Sequence, residues 1–87
     1  MAKQAGANKW PGLPERLKEA LEGAGYWKKG RPDVLRFSLD KRFLPGYLYK
    51  YVAGTAVPDR ENLYRLADAL NVKPSWLLFG DEKKRRS

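Results

Sequence analysis

YLYKYVAGTAVPD, residues 47–59, obeys two periodicities at once. Tyr47, Tyr49 and Tyr51 alternate with Leu48, Lys50 and Val52, the period of a half-buried strand. Leu48, Tyr51 and Val52 also stand at i, i+3, i+4, one face of a helix. The choice between them decides the fold.

Moving upstream, VLRFSL (residues 34–39) has the same ambiguity, because Leu35, Phe37 and Leu39 alternate. Two strands over 32–53, with DKRFLPG as their turn, would form a lone hairpin. Such a hairpin is marginal by itself and leaves two aromatic edges open to pairing. The rival is helix, turn, helix. It sets Val34, Leu35 and Ser38 inward with Phe37 beside them, and then Leu48, Tyr51 and Val52. Ser38 is small where two steeply crossed helices would approach, Pro45 falls in the first turn of the second helix, and Gly54 stops it. One mechanism thus explains both breakers, and the helical reading is preferred.

The flanks are plainer. LPERLKEALEGAGY predicts a helix with Pro14 in its first turn, Leu13, Leu17, Ala20, Leu21 and Ala24 as its apolar stripe, and Gly23 or Gly25 as its stop. WKKGRPD reads as a basic loop. PDRENLYRLADALNV predicts an amphipathic helix capped by Asp59 and ended by Asn71, and KPSWLLFG a short last helix. The expected organisation is a flexible basic arm over 1–12, one domain over 13–80 and a charged disordered tail over 81–87. The fold class is all-α, a compact bundle of about five short helices.

Composition narrows the function. The 87 residues contain neither cysteine nor histidine, so disulfides, Cys-based zinc sites and the commonest general base are all excluded. No arrangement of the remaining polar residues suggests catalysis, and no cofactor or metal is implied. No apolar run approaches a membrane span, and the N-terminus has no signal-peptide core, so a cytoplasmic protein is expected. Net charge is +8, and residues 26–50 hold seven Lys/Arg against two Asp/Glu. A localised basic footprint suits a polyanion.

The order of short helices and the run FSLDKRFLPGYLYKYVAGTAVPDRENLYRLADALNVKPSWLLFG resemble the lambda-repressor-like (Cro/C1-type) helix-turn-helix domains of phage and bacterial regulators. The second half carries the resemblance: Gly54, Pro58 four residues on, LYRLADALNV and WLLFG. The turn departs from the family, having Lys41 and Arg42 where an apolar residue and Gly are usual, and Leu39 would replace the missing apolar anchor if the helix is slightly rotated or the turn longer. The resemblance implies a DNA-binding transcriptional regulator, most simply a repressor, with residues 44–53 in the major groove. The implied DNA contacts are Arg42, Leu44, Pro45, Gly46, Tyr47, Tyr49, Lys50 and Thr55, with Lys28, Lys29 and Arg31 as phosphate clamps. Trp76, Leu77 and Phe79 are candidates for a homodimer interface, forming at least on DNA. The alternative is a protein-interaction module that presents Leu44, Pro45, Tyr47 and Tyr49 to a partner such as RNA polymerase.

Overall fold

The computed structural model describes residues 12–80. Its helices are α1 (Leu13–Gly23), α2 (Val34–Lys41), α3 (Pro45–Ala53), α4 (Arg60–Leu70) and α5 (Pro74–Phe79). Between α1 and α2 lie two short strands, β1 (Trp27–Lys28) and β2 (Arg31–Pro32). The proposed tail and all but the last residue of the proposed arm lie outside the described residues. The bundle is all-α apart from this small hairpin.

Residues 32–53 resolve as helix, turn, helix rather than as two strands. Asp33 caps α2, its carboxylate accepting from the Arg36 amide at 3.4 Å. Arg42 ends the helix in the left-handed conformation, φ 62° and ψ 49°, and the Phe43 amide donates back to the Ser38 carbonyl at 3.0 Å. An arginine is disfavoured there. Support comes from α4, where Arg65 donates to the Arg42 carbonyl at 3.0 Å and lays its guanidinium 4.4 Å from the Phe43 ring centre. Pro45 opens α3, and Gly54 closes it at φ 83°, where a Cβ would stand 3.3 Å from Pro14 of α1.

Helix α1 buries Leu13, Leu17, Ala20 and Leu21 against α3 and α5. Gly25, not Gly23, supplies its stop: the Gly25 amide donates to Glu22 at 3.1 Å and the Tyr26 amide to Leu21 at 2.8 Å. The segment read as a basic loop then forms a hairpin, with Trp27 opposite Pro32 and Lys28 opposite Arg31. Its turn residues, Lys29 and Gly30, are both left-handed, at φ 54° and 80°, as a type I′ turn requires. Helix α4 begins and ends as its sequence predicts, with Asp59 accepting from the Asn62 amide at 2.9 Å and Asn71 left-handed at φ 58°.

The core centres on Leu17, Leu21, Phe37, Leu66 and Leu77, all essentially inaccessible. Phe37 sits between Tyr26, met edge-on at 5.1 Å, and Phe43, stacked at 5.4 Å. Two expectations for α2 fail here. The buried stripe is Val34, Phe37 and Ser38, so Leu35, one residue off that stripe, stays 51% exposed. Leu39 is 71% exposed and anchors nothing in the core. Ser38 is buried as expected, and its hydroxyl has no hydrogen-bond partner.

Candidate nucleic-acid interface

Helix α3 divides cleanly. Leu48 and Tyr51 are buried and Val52 is half-buried, while Gly46, Tyr47, Tyr49, Lys50 and Ala53 face solvent. Leu44 precedes them at 66% exposed, and Pro45 is half-buried. The Tyr47 ring lies over that of Tyr51, centres 6.5 Å apart. Burial pushes the Tyr51 phenol above its ordinary pKa, the nearby Asp59 charge adds to this, and a hydrogen bond with Asn62 opposes it. Tyr51 is therefore a core residue, whereas Tyr47 and Tyr49 stay more than half exposed.

Gly46 is informative because the fold does not need it. Its φ is not left-handed, and a Cβ there would meet no atom within 4 Å. Glycine in a helix is unfavourable relative to alanine, so this bare stretch of backbone has a price the packing does not explain.

The charge of residues 26–50 is sorted by position. Both acids are engaged in the fold: Asp33 caps α2, and Asp40 accepts from the Tyr26 hydroxyl at 3.0 Å. The seven cations, Lys28, Lys29, Arg31, Arg36, Lys41, Arg42 and Lys50, are all exposed. Five of them fall into two groups. Arg42 precedes α3, and Lys50 lies in its last turn. Lys28, Lys29 and Arg31 ride on the hairpin at the other end of α2, a helix about 12 Å long at 1.5 Å per residue. Arg36, whose guanidinium stands 5.2 Å from the Tyr26 ring centre, and Lys41 were not among the sequence candidates. The charge count of the segment already contained them, and only their exposure was hidden.

The other candidates divide. Thr55 is exposed, but its hydroxyl donates to the Lys50 carbonyl at 3.4 Å and its amide to the same oxygen at 3.0 Å, so it closes the end of α3. Trp76 and Leu77 are 7% and 0% exposed, which corrects their assignment to a dimer interface: the small core consumes them. Phe79, at 64% exposed, remains on the surface. It borders a groove of about 610 Å³ whose lining includes Val57, Leu63, Tyr64 and Leu78.

A family model described as helix-turn-helix matches residues 45–77, from the start of α3 into α5. The match begins after α2 and its Lys41–Arg42 turn, the part that departs from the family pattern. In fold and in this match the chain is similar to helix-turn-helix domains of the lambda-repressor-like type, and the match supports a DNA-binding regulator. No curated protein and no solved structure matches the chain. Among the described residues no helix is long and apolar enough to cross a membrane, and no acidic cluster is suited to a metal ion.

Proposed function

We propose that the chain is a small repressor of transcription that docks the exposed face of α3 in the DNA major groove. Gly46 is the observation that carries this reading. A helix-turn-helix with an unnecessary glycine at the start of its second helix, on the face the core ignores, suits close approach of backbone to DNA. Lys50 reaches guanine O6/N7 or a phosphate, Tyr49 a phosphate or a thymine methyl, and Tyr47 a phosphate. Leu44 and Pro45 make apolar contact only. With so few polar groups on α3, phosphate contacts and DNA shape carry much of the affinity. Arg42, Lys28 and Arg31 hold the backbone, with Lys29 reaching toward it from the hairpin tip, and Thr55 approaches it from the end of α3. Occupying a promoter then blocks polymerase.

Pairing of two copies on a palindromic site follows the same reading. Phe79, with Tyr64 at 54% exposed beside the same groove, is the surface that remains for it after Trp76 and Leu77 are assigned to the core. Selection from a random duplex library tests the whole proposal. The expected result is an enriched palindrome bound on the order of a thousandfold more tightly than a scrambled duplex. Equal binding to both sequences rejects a specific regulator.

A second reading has its own observation. Leu35 and Leu39 are one helical turn apart on α2 and exposed, with Leu44 beyond them. An apolar patch of this kind suits a protein contact, for example with RNA polymerase. Capture of polymerase by the chain, lost in a Leu35→Ser, Leu39→Ser double variant with DNA affinity intact, would establish it.

A further inference from the structure

We infer that the β1–β2 hairpin reads the minor groove flanking the major-groove site, with Lys29 as the residue that enters it. This rests on the DNA-binding reading above. In a helix-turn-helix complex the first helix crosses the phosphate backbone that borders the major groove. Beyond that backbone lies the adjacent minor groove. Helix α2 is this first helix, and the hairpin meets it directly: Pro32 ends β2, Asp33 caps α2, and the Asp33 amide donates to the Tyr26 carbonyl at 3.0 Å. What precedes α2 therefore overhangs the flanking groove.

The chemistry of the hairpin fits that place. Its three charged residues, Lys28, Lys29 and Arg31, are all cationic and all exposed. Narrow, A·T-rich minor grooves concentrate negative potential and attract inserted Lys and Arg. Lys29 also occupies a left-handed position, φ 54°, in a turn whose preferred residues there are Asn, Asp and Gly. A connector between α1 and α2 gains nothing from a lysine there. A cation projecting from the tip gives the strained choice a purpose.

The test uses the full chain and the selected duplex, with its core constant and the roughly four base pairs on each flank set to A·T, G·C or I·C. Inosine keeps the major-groove pattern of G·C but lacks the minor-groove amino group. The wild type is expected to bind A·T and I·C flanks on the order of tenfold more tightly than G·C flanks. Lys29→Asn, which suits the turn better and so keeps the fold, is expected to equalise all three flanks and reduce the salt slope by about one unit. Flank-independent binding by the wild type, with core specificity retained, overturns the inference and leaves the regulator standing. A preference that survives Lys29→Asn, or I·C flanks that behave as G·C, also overturns it. Failure to discriminate the core sequence removes the underlying reading and this inference with it.

Discussion

Gly46 is a single residue at which stability and function point in different directions, and Ser38 one at which the core leaves a polar group unsatisfied. Alanine at 46 meets open space and favours helix, so Gly46→Ala should gain about 0.5 kcal/mol in urea unfolding. The same methyl on a groove-facing backbone should weaken specific DNA binding about tenfold, or 1.4 kcal/mol. A variant more stable and equally tight would show that this turn of α3 does not approach DNA. Ser38 is buried on α2, with a hydroxyl that has no partner. Ser38→Ala removes that unsatisfied group and should stabilise the domain by about 1 kcal/mol, seen as a melting midpoint raised by about 4–8 °C. The sequence identified Ser38 as a small inward residue but could not distinguish Leu35 from Phe37. Both are apolar, and a one-residue difference in helix phase, set by packing against Tyr26 and Phe43, chooses Phe37.

At the scale of elements, what was legible depended on local chemistry. Helix α4 carried its own cap, stripe and stop, and Pro45 with Gly54 bounded α3. The hairpin was not legible, because its turn uses Lys-Gly rather than the Asn-Gly that signals a type I′ turn. Nor was the means of holding Arg42, which comes from Arg65, 23 residues away. Helix α5 depends on another distant contact. Arg16 of α1 donates to the carbonyls of Leu77 at 2.8 Å and Leu78 at 2.6 Å, at the negative end of a six-residue helix too short to persist alone. Arg16→Met keeps the stem and loses both bonds. It should cost about 2–3 kcal/mol and accelerate amide exchange first in α5. Tyr26 joins the hairpin region to α2 through Asp40. Burial raises its phenol above the ordinary 10.0, the hydrogen bond to Asp40 and that carboxylate's charge raise it further, and Arg36 lowers it. The folded state thus holds this proton more tightly than the unfolded chain. Its stability contribution is complete below pH 10 and should fall as pH rises from there toward the folded value. Tyr26→Phe should flatten that alkaline loss in pH-dependent urea titrations while lowering stability at neutral pH by about 1 kcal/mol for the lost hydrogen bond.

Across the whole molecule, the sequence located the basic segment but not the separation of its hairpin cations, at the start of α2, from Arg42 and Lys50 beyond its end, a consequence of the unforeseen hairpin. That arrangement makes fold and binding respond to salt with opposite signs. The described residues have a radius of gyration of 12.2 Å, comparable to a Debye length of about 10 Å at 0.1 M salt and well below the roughly 30 Å at 0.01 M. At low salt the hairpin cations, Arg36, Lys41, Arg42 and Lys50 therefore repel one another throughout the domain, with Asp33 and Asp40 the acids of the same segment. Raising salt relieves this repulsion, so the melting midpoint should rise by about 2–3 °C between 0.01 and 0.2 M. DNA binding must move the other way, because each phosphate neutralised releases counterions that salt drives back. With about four phosphate contacts per protomer, the affinity of one protomer should fall about a hundredfold between 50 and 200 mM. Thermal scans and binding titrations over one salt series check both slopes. If the hairpin cations contact DNA, neutralising Lys28 and Lys29 together should flatten both: less self-repulsion to relieve, and fewer counterions to release. A binding slope unchanged by that substitution, beside a flattened melting slope, would assign the hairpin charges to the surface field of the free protein and leave DNA contact to α3 and Arg42.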